Sequence, residues 1–254
     1  MAKKRHRLIE ERRFIRPLRG VLPMVLLLVL PLSFSLGSCR QFFTTSLASW
    51  AARDPASLIP PVTASNIDDL LAQSANSPAQ SLALLDSIAD ALATASASDA
   101  AVLQAAALQA ASNASGVATS VLSNAGTMLE TLQGSGDIIP VISDAITDLT
   151  NLAPSAELLA AILPAPTDTT AFNAFVDQAS PEELAMAAVV LLAAEAQASG
   201  SVENYISTFD PSNPASEAET LAVALAEAAA TAYATSGGTG PLADILAGLN
   251  LTTT

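Results

Sequence analysis

Two pairs of aspartates in this chain share one spacing. Asp86 and Asp90 stand four residues apart, as do Asp144 and Asp148, in similar surroundings: Asp86-Ser-Ile-Ala-Asp90 and Asp144-Ala-Ile-Thr-Asp148. Four residues is about one helical turn, so each pair shares a helix face. Two such carboxylates could divide acid and base roles, or hold a hard divalent cation through oxygen. The same spacing arises where a helix turns a charged face to water. The Leu and Ile stripes opposite each pair favour that solvated face. Asp210 and Asn213 lie in a proline-flanked loop without the EF-hand pattern, and are read as a capped turn. Tyr205 and Phe209, also four apart, are read as core rather than as a stack around a ligand.

Other chemistries are missing. After Arg53 the chain has no Lys, Arg or His, and its one cysteine is Cys39. Ser-His-Asp, Cys-His and Ser-Lys nucleophiles cannot be assembled from such a chain. Zinc and copper sites want His or Cys. A phosphate-binding loop would need its glycines and lysine. We therefore expect no catalytic residue, no cofactor and no metal; a hydrolase built from carboxylates alone is the weakest of the readings considered. Nucleic acid is excluded as a partner, because binding it requires cations to displace condensed counterions.

The N-terminal segment decides where such a body would be placed. Eight of the ten basic residues precede Val21, against Glu10 and Glu11. From Val21 to Cys39 the sequence reads VLPMVLLLVLPLSFSLGSC, with no charge before Arg40. A positive n-region, an apolar stretch and small residues at its end form a secretory signal. An uncleaved span is the alternative, since 18 residues would reach roughly 27 Å as a helix. Pro23 and Pro31 interrupt that run, and Gly37-Ser38 ends a membrane helix poorly.

Leu36-Gly37-Ser38-Cys39 resembles the lipobox of bacterial lipoproteins, which reads Leu, two small residues, then Cys. The resemblance implies diacylglycerol on the Cys39 thiol, cleavage between Ser38 and Cys39, and acylation of the new amino group. Two or more acyl chains anchor stably, at about 0.8 kcal/mol per buried CH₂. Arg40 follows the cysteine where lipoproteins retained at the inner membrane commonly carry Asp. The resemblance thus implies the outer membrane, on its periplasmic or surface face, for a cell that has one. The part after Cys39 is also similar to uncharacterised Ala-rich lipoproteins of spirochaete type, which brings no activity with it. Residues Leu225–Leu249 resemble a tetratricopeptide helix pair at Tyr233 and Gly237, but carry Ala226, Ala229 and Ala230 where large residues and Leu-Gly are expected.

With residues 1–38 removed, two cations face 22 carboxylates, a net charge of −20. Any protein partner should then present a basic surface. The body is nonetheless too apolar for an acidic disordered chain. No strand alternation occurs, and the fold class expected is all-α, an antiparallel helical bundle or short irregular α-solenoid. Residues 39–62 form the lipidated N-terminus, with a juxtamembrane helix bearing Phe43, Leu47 and Trp50 and a linker extended by Pro55, Pro60 and Pro61. Residues 63–254 form the acidic Ala-rich domain, with a subdivision expected near 164–168.

Capping patterns place the helices. Helices are expected over Asn66–Ser74, from the Ser77 box to about Ala95, from a Ser98 cap to about Ser112, and over Gly116–Leu132 with a break near Gly126. After a turn at Gly134-Ser135-Gly136 come Ile138–Thr150, Pro154–Leu163 and Thr169–Gln178. The Ser180 box opens Leu184–Ala194, apolar all round and so expected as the central buried helix. The Ser216 box opens a helix through Leu221, Leu225 and Tyr233, and Leu242–Leu249 is the last. The function expected is a structural or protein-interaction lipoprotein; the alternative is a solute-binding or transport-accessory lipoprotein. An enclosed apolar pocket would favour the binder, an open apolar groove the interaction module.

Overall fold

The computed structural model describes residues 54–133 and 139–236. Within them the fold is all-α, with ten α-helices and no strand. In chain order these are α1 (Ile67–Ser74), α2 (Pro78–Leu92), α3 (Ala97–Ser115), α4 (Val117–Gln133), α5 (Ile139–Thr147), α6 (Leu152–Ile162), α7 (Thr169–Val176), α8 (Pro181–Ala198), α9 (Val202–Thr208) and α10 (Glu217–Ser236). The juxtamembrane helix, the turn at 134–136 and the helix at Leu242–Leu249 fall outside the described residues, as do Ser38 and Cys39.

Side-chain caps start most of these helices, though not α1 or α6. The Ser180 Oγ accepts from Glu183 N at 3.2 Å, and Glu183 Oε2 accepts from Ser180 N at 2.8 Å, a reciprocal box with Pro181 at the first helical position. Ser77 accepts from Gln80 N ahead of Pro78. The cap of α3 is Ser96, not Ser98: Ser96 Oγ accepts from Asp99 N at 3.2 Å. Asp99, three positions on, accepts from the Ser96 hydroxyl at 2.8 Å rather than from its backbone N–H, so the cap is not reciprocal. Helix α3 also runs on to Ser115, where Gly116 ends it at φ +75°, a left-handed conformation that costs glycine little. Helix α4 then starts at once and passes Gly126 without a break.

Two helices share the centre. Helix α8 packs against α3, α4, α5, α6, α9 and α10, as its apolar sequence predicts. Helix α3 packs against α1, α2, α4, α6, α7 and α8. It buries Leu103 and Leu108, and also alanines round most of its girth, among them Ala107, Ala110 and Ala111. Alanines let these two helices approach closely, and the larger residues around them (Leu84, Leu85, Ile88, Leu152, Leu159, Phe175, Leu184, Leu191, Leu225) complete the core. The core is continuous across Pro164-Ala165-Pro166, taking in Ile162 and Leu163 before it and Phe172 and Phe175 after it. Phe172 and Phe175 meet edge to face at 5.8 Å. Connections between successive described helices are one to eight residues long, which keeps sequence neighbours in contact.

The proline-rich stretch before α1 is partly folded. Pro55–Leu58 makes one 3-10 turn, closed by Ser57 N donating to Asp54 O at 2.9 Å, and it packs on α2. Asn66 Nδ2 donates to Pro61 O at 3.0 Å, and Ile59 and Val62 lean on the core. Three prolines restrict the backbone but leave carbonyls free to accept, which is how the stretch is held.

Candidate functional site

The carboxylate pairs lie where the solvated-face reading puts them. Asp86 and Asp90 on α2 are exposed, with Leu84, Leu85 and Ile88 buried beside them. Asp144 is on α5 and Asp148 just past its end; both are exposed, with Ser143 and Ile146 turned inward. Among the described residues no three His, Cys, Asp or Glu side chains come together in a way that could hold a metal ion. Asp210 Oδ1 accepts from Ser212 N at 3.0 Å, and Asn213 N donates to Asp210 O at 3.0 Å, a capped turn.

Tyr205 and Phe209 stack with ring centroids 5.8 Å apart. The Tyr205 hydroxyl donates to Glu219 Oε1 at 2.8 Å. Glu219, 6% exposed, is the carboxylate most deeply buried among the described residues. Its other oxygen accepts from Ala215 N, and its own N–H donates to Ser216 Oγ at 3.0 Å. The Ser216 box is therefore shifted: the returning carboxylate binds one residue before the cap. Burial, then the Glu219 carboxylate, pushes the Tyr205 phenol well above its ordinary value. Tyr233, near the end of α10, hydrogen-bonds Glu182 in the first turn of α8, and burial with this bond pushes its pKa up to about 12. The two tyrosines of the chain thus fasten both ends of α10.

A third carboxylate ties α9 to α5: Ser143 Oγ donates to Glu203 Oε1 at 2.6 Å and lowers the Glu203 pKa. These bonds join helices, and none of their residues lines the groove described next. They read as structure.

One concavity stands apart from them. A groove of about 300 Å³ lies between the 3-10 turn and helices α1 and α2. Pro55, Leu58, Ile59, Leu70 and Leu84 form its walls; Gln73, Ser74 and Gln80 supply its polar groups. Ser74 is already satisfied: its hydroxyl donates to Leu71 O at 3.2 Å, and its carbonyl accepts from Ser81 Oγ at 3.0 Å and from Ser77 N at 2.9 Å. No protein-family model, curated protein or solved structure matches the chain. The groove is open to solvent and small beside most ligand pockets, which run from about 300 to 1,000 Å³. Sequence reasoning does not find it, because its walls come from three elements that meet only in the fold. Pro55 and Leu58 signal a turn at most, and Gln73 and Gln80 look like ordinary surface.

Proposed function

We propose that the protein is a membrane-anchored lipoprotein of the bacterial cell envelope whose α-helical body acts as a structural or protein-interaction module. The observation that carries this reading is Leu36-Gly37-Ser38-Cys39 at the end of a charge-free apolar run behind eight cations. Lipid on Cys39 gives the body a membrane address, and Arg40 favours the outer membrane. The body then offers surface rather than chemistry. From Asp54 on it has carboxylates but no side-chain cation, thiol or imidazole. The groove beside the 3-10 turn is partly open to solvent, as a surface for interaction would be. No enzymatic step is assigned.

The test is metabolic labelling with palmitate in a bacterial host. The wild-type chain should take up label, partition with membranes and lose residues 1–38. Cys39→Ala should abolish the label and accumulate the precursor. Normal processing and membrane extraction of Cys39→Ala would overturn the anchor.

A further inference from the structure

Helix α10 is attached to the rest of the fold differently from its neighbours. It packs on α8 and makes only marginal contact with any other described helix, whereas α3 and α8 are packed on several sides. Its buried apolar stripe is Leu221, Ala222, Leu225, Ala226 and Ala229, in which only the two leucines exceed alanine. Two clasps close it. Tyr205, on α9, donates to Glu219 in its first turn at 2.8 Å, and Tyr233 near its end bonds Glu182 at the start of α8, so the two helices run antiparallel. Closure holds the Glu219 carboxylate away from water, a cost that opening relieves. The connection before α10 is suited to a hinge: Asp210 to Asn213 are exposed. Helix α9, on the other side of that hinge, is held to α5 by Ser143 and Glu203.

We propose that α10 is a strap that opens from α8 as one unit while α1 to α9 stay folded. Fraying stops where packing is strong. Between Leu225 and Tyr233 the buried positions of α10 are alanines, so a release that passes Leu225 runs on to the second clasp and takes the helix off whole. Helix α8 stays in place because its other sides remain packed on α3, α4, α5, α6 and α9. The open form uncovers the side of α8 that α10 covers. With one clasp removed the closed form is still the ground state, since the leucine and alanine stripe and the other clasp remain. The strap does not depend on the lipid anchor proposed above.

Hydrogen exchange on the full chain in detergent, read by mass spectrometry, tests this. Protection of the amides from Leu221 to Ala232 should be alike along α10, and about tenfold or more below that of α3 and α8. Leu103→Ala, on α3, should lower the protection of α3 by about tenfold or more. It should leave α10 unchanged, because Leu103 keeps its contacts when only α10 opens. Ile88→Val on α2 is the milder variant with the same pattern, a fall of about twofold or more in α3 alone. Tyr233→Phe should lower protection in the first turns of α10 as much as in the last. Protection of α10 equal to or above that of α3 overturns the proposal. So does a fall in α10 that accompanies the fall in α3 for Leu103→Ala or Ile88→Val, since α10 then opens only with the whole fold. A gradient of protection along α10, with Tyr233→Phe felt only in the last turns, overturns it too, because the helix then frays.

Discussion

The Tyr205 hydroxyl sits 2.8 Å from Glu219 Oε1, closing the eight-residue loop between α9 and α10 over a buried carboxylate. A hydrogen bond to a charged group contributes about 1.5–3 kcal/mol. Tyr205→Phe should therefore lower unfolding stability by about that amount, measured by urea titration. Tyr233→Phe, at the far end of the same helix, should cost less, since that ring is more exposed. Residues 219 and 233 are 14 positions apart, roughly 21 Å along a helix. The double variant should therefore show additive losses. A clearly smaller combined loss would mean that α10 detaches as a whole once either end is freed.

Leu191 is 1% exposed at the centre of α8 and Val189, two residues earlier, is 36% exposed. Leu191→Ala should cost about 2–5 kcal/mol, because a deleted buried side chain leaves a cavity. Val189→Ala should stay within about 1 kcal/mol, alanine's better helix propensity offsetting part of the lost contact. Denaturant midpoints for the two variants, compared at equal slope, check the burial pattern directly.

Two buried serines make opposite predictions. Ser155 Oγ is fully buried without a hydrogen-bond partner among the described residues, whereas Ser81 Oγ, equally buried, donates to Ser74 O at 3.0 Å. An unsatisfied hydroxyl costs about 1–3 kcal/mol to bury. Ser155→Ala should be neutral or stabilising by about 1 kcal/mol, and Ser81→Ala destabilising by a similar amount. Matching losses in thermal melts would mean that the Ser155 hydroxyl is satisfied in solution.

How far the sequence spoke differs from helix to helix. Ser77, Ser180 and Ser216 announce their helices because capping is a local chemistry of four residues. The burial of α8 is legible because a charge-free run of that length has nowhere else to go. Helix α3 shares the centre, and this is not legible: alanine is read the same whether it ends up exposed, as Ala97 is, or buried, as Ala107 is. Its cap is Ser96 rather than the expected Ser98, and the two serines are chemically alike in sequence. Helix α9 has seven residues and no amphipathic stripe long enough to register. The aspartate pairs were legible as surface. Glu219 was not legible as buried, since its tyrosine partner sits 14 residues away, and the groove walls meet only through tertiary contacts.

Alkaline titration tests the tyrosine environment. Both phenols have folded pKa values raised above the ordinary value of 10.0, Tyr233 to about 12. Above pH 10 the unfolded chain loses these protons while the folded chain keeps them. The folded state then binds more protons, so stability falls as pH rises. The contribution is intact below pH 10 and declines between pH 10 and about 12 for Tyr233, and further for Tyr205. Melting temperatures should drop across that window, and Tyr205→Phe with Tyr233→Phe should flatten the drop. An unchanged slope in the double variant would assign the alkaline loss to other groups.

The last prediction concerns the charge of the body itself. From Asp54 to Thr254 there are 22 carboxylates and no side-chain cation, so none can form an ion pair within that unit. Their repulsion acts between exposed groups and is screened over about 10 Å at 0.1 M salt. Raising NaCl from a few millimolar to that range should raise the melting temperature of the Asp54–Thr254 unit. Calcium tests something narrower. It should exceed NaCl at equal ionic strength only where carboxylates converge on one ion. Asp86 with Asp90 and Asp144 with Asp148 stand exposed on separate helices, each pair one turn apart and without a third ligand among the described residues. The CaCl₂ and NaCl curves should therefore coincide when matched for ionic strength. A calcium curve displaced upward, and restored to the NaCl curve by Asp86→Asn or Asp144→Asn, would identify the pair that gathers an ion after all. A flat response to NaCl would mean that the carboxylates are too far apart for their repulsion to weigh on folding.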